Sequence, residues 1–227
     1  MGKGFQRRII KTDDGSHSLE LVGQGEHYHS TFGAVQESRH VFIQRGLLSL
    51  PHKETPIHIL EVGFGTGLNA LLTFIESQNQ GIQVHYFTLE PFPLEREEYE
   101  VLNYPQILEQ GKYAACFEAF HQCEWDKPVE IAKGFSFHKT RYGLKEAKLS
   151  SGFFDLVYFD AFGPDTQPEL WEQALFEKVF NAMHSAGVLV TYCAKGMVKR
   201  ALRACGFTIE RLPGPPGKRE MTRAVKP

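Results

Sequence analysis

Paired cysteines are missing from this sequence. Its four cysteines show no CxxC spacing and no histidine at the spacing of metal ligands; they are Cys116, Cys123, Cys193 and Cys205. This pattern argues against a zinc site and against a disulfide framework. We therefore expect reduced thiols and no bound metal.

Long apolar runs are missing as well. No stretch of about 18 consecutive apolar residues is present that would span a bilayer. The opening residues, MGKGFQRRIIKTDDG, carry cationic side chains but lack the apolar centre of a secretory signal. These absences predict a cytoplasmic protein with no membrane partner.

Positive charge is scarce in the middle of the chain and concentrated at its two ends. Residues 193–227 contain nine Lys or Arg against two Glu, although the formal net charge of the whole chain is −2. Residues 1–11 add four more Lys or Arg. If the two ends meet in space, they would form a face for a polyanion; otherwise they are ordinary solvated charge.

The 227 residues are enough for one domain with a substantial core. Short apolar segments on either side of Asp13-Asp14-Gly15 predict a hairpin, and Ala34 to Leu48 predicts a helix. We assign residues 1–52 to this N-terminal extension. It is expected to pack on a main domain at residues 53–227, so that the chain forms a single structural unit.

Short apolar runs alternate with amphipathic ones in the main domain, which predicts βαβ units and a largely parallel sheet. The predicted strands are Ile57 to Val62, Val84 to Leu89, Val129 to Ala132 with Phe135 to Phe137, Phe154 to Phe159, Val188 to Tyr192, Phe207 to Leu212 and Met221 to Val225. The predicted helices are Leu68 to Ser77, Leu94 to Leu102, Ile107 to Phe120, Trp171 to Met183 and Met197 to Ala204.

The last two predicted strands are joined only by Pro213-Gly214-Pro215-Pro216-Gly217. This connection is too short for a parallel crossover, so the final strand should run antiparallel to its neighbour. The expected fold is therefore α/β, with seven strands of which only the last is reversed. That pattern is typical of Rossmann-like class I S-adenosylmethionine-dependent methyltransferases.

A glycine-rich loop follows the first strand of the main domain, in ILEVGFGTGLNALL. The spacing is GxGxG at Gly63, Gly65 and Gly67, not the GxGxxG of dinucleotide folds. Glu61 precedes the loop; a carboxylate there would repel a pyrophosphate but would hold the ammonium of S-adenosylmethionine. Another nucleotide or a purely structural turn is the alternative. The cofactor-binding residues predicted in this segment are Glu61, Gly63, Phe64, Gly65, Thr66, Gly67 and Asn69.

Acidic residues also lie at the ends of two later predicted strands. Glu90 closes the second strand and suits the ribose hydroxyls of a nucleoside cofactor. Asp160 ends the fourth strand, in DLVYFDAFGPDTQPELW, and suits either the cofactor or an amine whose N–H groups must be oriented. Phe162 and Pro164 follow it and would shield the pocket from water. We predict Asp160 as the catalytic residue, with capping of the strand end as the structural alternative.

Four segments, in order, give the sequence a specific resemblance: GFGTGLN, LEPFPL, DAFGPDTQPELW and KGMVKRALRACGFTIERLPGPPGKREM. Together they resemble the methyltransferase family that completes 5-methylaminomethyl-2-thiouridine at the tRNA wobble position, which comprises MnmD enzymes and the amino-terminal half of MnmC. The earlier segment YHSTFGAVQESRHVFI also resembles the start of that family, so the resemblance extends from about Thr12 to Lys226.

The resemblance implies methyl transfer from S-adenosylmethionine to the amine of a 5-aminomethyluridine, with Asp160 orienting or deprotonating that amine. It implies a tRNA anticodon stem-loop as partner and enzymes that supply the aminomethyl precursor separately. No second glycine fingerprint is present, so no flavin is expected. The substrate-binding residues that we predict are Phe162, Pro164, Lys195, Lys218, Arg219 and Glu220.

Two other functions remain possible from the sequence. One is a methyl- or aminopropyltransferase for a small-molecule amine, against which the basic tail argues because such substrates are cations. The other is a non-catalytic module that binds S-adenosylmethionine.

Overall fold

The computed structural model describes residues 6–50, 55–108 and 111–227. A small antiparallel sheet begins the chain and comprises β1 (Arg7–Lys11), β2 (His17–Leu21) and β3 (Glu26–His27). The carboxylate of Asp14 fixes the turn between β1 and β2, because it accepts the N–H of Ser16 at 3.0 Å. The hairpin expected from the sequence is present, with a short third strand added.

The helix expected at residues 34–48 is divided into three pieces. Helix α1 (Ala34–Ser38) continues as a π-helical stretch (Arg39–Gln44), and a 3₁₀ turn (Leu47–Ser49) follows. The predicted domain boundary after residue 52 lies outside the described residues. The division into an extension and a main domain therefore stays a prediction.

The main sheet has eight described strands in the order β10-β11-β9-β8-β4-β5-β7-β6. Their bounds are β4 (Ile57–Val62), β5 (Val84–Leu89), β6 (Val129–Ala132), β7 (Phe135–Thr140), β8 (Phe154–Phe159), β9 (Met183–Thr191), β10 (Thr208–Pro213) and β11 (Glu220–Val225). The mostly parallel sheet confirms the predicted fold class.

The predicted count of seven strands is wrong by one. Residues 129–132 form their own strand, β6, which turns back at residues 133–134 and pairs antiparallel with β7. Strand β11 is reversed as predicted, since it runs antiparallel to both β9 and β10. The sheet thus has two reversed strands instead of one.

The other described α-helices are α2 (Leu68–Gln80), α3 (Arg96–Tyr99), α4 (Tyr104–Ile107), α5 (Ala114–Gln122), α6 (Gln173–Ala182) and α7 (Gly196–Ala204), and a 3₁₀ turn (Pro168–Trp171) precedes α6. The helix predicted at residues 107–120 is interrupted. Leu108 is extended and Gly111 has φ +83°, a conformation that ends a right-handed helix. No helix in the described ranges is long and apolar enough to cross a membrane.

Parallel pairing brings the ends of three central strands together. Strand β4 lies between β5 and β8 and is almost completely buried. Beyond the strand ends, Gly63 donates its N–H to the carbonyl of Leu89 at 3.0 Å, and Asp160 donates its N–H to the carbonyl of Val62 at 3.0 Å. The glycine loop and the acid after β8 are therefore neighbours at one edge of the sheet.

Candidate functional site

A cavity of about 360 Å³ lies at the carboxyl ends of β4, β5 and β8. Its other walls come from residues 25–32, from α1, from residues 143–144 and from the loop before β11. Open α/β sheets bind their ligands at this edge. The cavity is the candidate active site.

The glycine loop leaves bare backbone at the floor of the cavity. Gly63 has φ +94°, and a Cβ there would lie 2.8 Å from the carbonyl oxygen of Asp160. Gly65 has φ +52°, and its Cβ would lie 3.1 Å from the ring of Tyr28. Both positions thus require glycine, for backbone conformation and for space.

Of the residues predicted to bind a cofactor, some line the cavity and others do not. Those that line it are Gly63, Phe64, Gly65, Thr66, Glu90 and Asp160; those that do not are Glu61, Gly67 and Asn69. The carboxylate of Glu90 accepts the N–H groups of Gly65 and Phe92, each at 2.8 Å. Burial raises the pKa of Glu90 above its ordinary value, although these N–H groups oppose that rise.

Glu61 does not face the cavity. Its side chain is fully buried within β4, where Oε2 accepts a hydrogen bond from the hydroxyl of Thr88 at 2.8 Å. Burial raises the pKa of Glu61 to about 8, although the neighbouring Thr88, Asn69 and Tyr86 side chains oppose that rise. This geometry does not support the predicted contact between Glu61 and the ammonium of a cofactor.

Replacing Glu61 by Gln is expected to reduce the loss of stability toward alkaline pH. The pKa of Glu61 rises on folding from 4.5 to about 8, so its stabilising contribution is complete below pH 4.5 and is lost as the pH rises through 8. At about 1.4 kcal/mol per pKa unit, the loss is on the order of a few kcal/mol. Denaturant unfolding of both proteins at pH 5 and pH 9 measures the difference. Equal pH dependence in the two would contradict the assignment.

Asp160 faces the cavity with one oxygen already bonded. Its Oδ2 accepts a hydrogen bond from Nδ2 of Asn69 at 2.8 Å, whereas Oδ1 accepts none from a described residue. Burial raises the pKa of Asp160 well above its ordinary value, and the nearby Glu37 and Glu61 carboxylates raise it further. Such a carboxylate can accept an N–H bond or a proton from an amine.

Aromatic side chains surround the part of the cavity beyond Asp160. The rings of Tyr28 and Phe162 meet edge to face, with centroids 5.0 Å apart. The hydroxyl of Tyr192 donates to the carbonyl of Ala161 at 2.9 Å. These rings make this part of the cavity apolar, and in such surroundings a carboxylate interacts with a cation more strongly than in water.

The predicted substrate-binding residues separate into two groups. Phe162 and Lys218 line the cavity; Pro164, Lys195, Arg219 and Glu220 do not. Lys195 is paired with Asp165, and Glu220 accepts a hydrogen bond from Lys199 at 2.7 Å. These pairs engage two of the nine cations in residues 193–227, and Asp165 is an acid from outside that segment.

Sequence reasoning missed Glu37 and Tyr192 as cavity residues. Glu37 lies on α1, where the predicted helix gave no sign that this acid is buried. Tyr192 directly follows β9, whereas the sequence predicts it as the last residue of that strand. Leu144 also lines the cavity. No local pattern identifies these three, since tertiary packing places them.

Residues 119–227 match a protein-family model described as S-adenosyl-L-methionine-dependent methyltransferase. The tRNA 5-methylaminomethyl-2-thiouridine biosynthesis bifunctional protein MnmC of Aeromonas hydrophila is 31% identical over 220 residues, which cover 87% of this chain and 32% of that protein. The MnmC of Aromatoleum aromaticum is 30% identical over 227 residues, which cover 95% and 35%. The chain spans about a third of the length of these curated relatives.

Two solved structures share the fold across the chain. MNMC2 from Aquifex aeolicus matches with a TM-score of 0.76 and 25% identity, covering 99% of this chain and 72% of that one. Spermidine synthase from Thermotoga maritima matches with a TM-score of 0.58 and 13% identity, covering 100% and 70%. The second likeness shows the fold alone.

Proposed function

Because the chain belongs to the S-adenosyl-L-methionine-dependent methyltransferases related to the methyltransferase domain of MnmC, we propose that it methylates 5-aminomethyluridine, with or without a 2-thio group, at the tRNA wobble position. The membership confirms the predicted family, fold class and cofactor. The observation that carries the proposal is one cavity lined by both the glycine loop and Asp160, whose Oδ1 accepts no hydrogen bond from a described residue.

The cofactor end of the cavity fits S-adenosylmethionine. When bound, this cofactor supplies a methyl group on a sulfonium centre. Bare backbone at Gly63 and Gly65 permits close approach, because a side chain at either would meet neighbouring atoms. We assign Glu90 to the ribose hydroxyls and the apolar surface of Leu89 and Leu144 to the adenine. The other predicted cofactor residues that line the cavity, Phe64 and Thr66, complete this end.

At the other end, we assign the exocyclic amine of the uridine to Asp160. A primary amine has a pKa of about 10 and is mostly protonated at neutral pH, so it must lose a proton before it can attack. The raised pKa of Asp160 makes its carboxylate a stronger proton acceptor. Oδ1 accepts the hydrogen bond, and then the proton, from the amine, while the hydrogen bond from Asn69 holds Oδ2 in place.

A small-molecule amine is the second candidate substrate. The charged side chains that line the cavity among the described residues are four carboxylates and one ammonium: Glu26, Glu37, Glu90, Asp160 and Lys218. An acidic cavity suits any cationic amine, whether it stands alone or on a nucleoside. The acceptor must therefore be determined by experiment.

Methyl transfer to two acceptors distinguishes these candidates. The enzyme receives S-adenosylmethionine with a labelled methyl group and either tRNA that carries 5-aminomethyluridine or a simple diamine such as putrescine. Label in the tRNA supports the proposal, and label in the diamine alone contradicts it. Cofactor binding without transfer to either acceptor would support the non-catalytic alternative.

Replacing Arg219 by Glu is expected to weaken tRNA binding without changing cofactor affinity. Arg219 is exposed beside the cavity-lining Lys218 and forms no ion pair with a described residue, so its charge is available to phosphates. Reversal should weaken binding roughly tenfold at low salt and less at high salt. Lys127→Glu, near the other edge of the sheet, is the control. Unchanged affinity of the Arg219 variant would remove this residue from the tRNA surface.

A further inference from the structure

Glu37 is a buried carboxylate that the mechanism above does not use. Only 5% of the residue is exposed, and it lines the same cavity as Asp160. Its Oε1 accepts the N–H of Ser30 at 2.9 Å, and its Oε2 accepts a hydrogen bond from Nζ of Lys218 at 2.5 Å. One oxygen is therefore held by backbone and the other by a cation.

The two partners of this ion pair differ in how firmly they are held. The side chain of Glu37 is 6% exposed, whereas that of Lys218 is 33% exposed and comes from the loop between β10 and β11. Lys218 also lies over the ring of Tyr192, with Nζ 4.0 Å from its centroid. Glu37 is a fixed anion, and Lys218 is a flexible ammonium on a long stem.

An alkylammonium from a substrate would meet the same surroundings as Nζ of Lys218. A carboxylate and an aromatic face both attract a cation, and both attractions become stronger when water is excluded. An ionised carboxylate that is buried without a cation is costly, so a cation beside Glu37 stabilises its charged form. Lys218 supplies it in this structure.

We propose that Glu37 recognises the ammonium form of the substrate amine, and that Lys218 occupies this place until the substrate displaces it. The inference rests on the proposed function and narrows its substrate class to amines that arrive as cations. Glu37 then serves as a specificity-determining residue, distinct from Asp160, which accepts the N–H at the point of reaction. No bond is made or broken in this exchange of cations.

The test compares two tRNAs that differ only in the aminomethyl group. The measured quantity is the dissociation constant of the tRNA that lacks the aminomethyl group divided by that of the tRNA that carries it. Contacts between the protein and phosphates are the same for both tRNAs and cancel in this ratio. Glu37→Gln keeps an acceptor for the N–H of Ser30 but removes the charge, so the ratio should fall by about tenfold or more toward one. Glu37→Asp keeps the charge and should restore part of the preference.

Lys218→Met provides an independent second arm. Loss of the competing ammonium should raise the preference for the aminomethyl tRNA, even though total tRNA affinity falls. A wild-type ratio in Glu37→Gln, or an unchanged or lower ratio in Lys218→Met, would overturn the inference. If Glu37→Gln fails to fold, the ratio measured with Lys218→Met tests the inference by itself. If the wild type neither prefers nor methylates the aminomethyl tRNA, the proposed function fails as well.

Discussion

Replacing Asp160 by Asn should abolish methyl transfer while S-adenosylmethionine still binds. The isosteric amide keeps an oxygen for the N–H of Asn69, so the local geometry is retained. It cannot accept a proton from an ammonium, and proton acceptors of this kind contribute roughly 10²- to 10⁴-fold to rate. Single-turnover methylation of the tRNA and calorimetric titration with S-adenosylhomocysteine measure the two effects separately.

Asp165→Asn is the matched control for this variant. It lies in the same loop, but its carboxylate is exposed and paired with Lys195 outside the cavity. Rate and cofactor affinity should both stay close to those of the wild type. A rate within about threefold of wild type in Asp160→Asn would contradict the catalytic assignment. If cofactor binding is lost together with the rate, Asp160 is a cofactor ligand instead.

Replacing Gly63 by Ala should impair both cofactor binding and stability. The added Cβ would lie 2.8 Å from the carbonyl oxygen of Asp160, and the residue would also have to adopt φ +94°. Because the obstacle is backbone, the loop itself must move, and it carries Gly65 and Thr66 with it. We expect cofactor affinity to fall roughly tenfold to hundredfold, which corresponds to about 1.4–2.8 kcal/mol.

Gly81→Ala separates close packing from backbone strain. Gly81 ends α2 with φ +66°, and a Cβ there would meet nothing within 4 Å. The control should cost only the strain of a left-handed residue, about 1–2 kcal/mol of unfolding free energy, with normal cofactor affinity. Equal cofactor affinity in the two variants would show that the approach of Gly63 to Asp160 is unimportant for the site.

The sequence predicts the central strands of this fold well, for a physical reason. Strands β4, β5 and β8 have the bounds predicted for them, because buried parallel strands are apolar runs that end abruptly at polar or glycine residues. The positive φ of Gly63 and Gly65 follows from the same local pattern. Where neighbouring residues determine the backbone conformation, a single sequence is enough to predict it.

Contacts between distant segments are beyond this kind of prediction. Glu37 and Lys218 are 181 residues apart, and an acid on a short helix ordinarily faces solvent. Glu61 differs in the opposite direction: its position before the glycine loop predicts a ligand contact, whereas in this structure its side chain is buried, and the contact stays a prediction. In both cases the direction of the side chain depends on neighbours that only the folded chain supplies.

The central claim is that the methylated atom is the exocyclic amine of the wobble uridine. Its most direct test is nucleoside analysis of tRNA that carries the 5-aminomethyl precursor, after incubation with the enzyme and labelled S-adenosylmethionine. The account predicts that the label appears in 5-methylaminomethyluridine, or its 2-thio form, at the wobble position. Label in any other nucleoside, or none in tRNA while the cofactor binds, would contradict it.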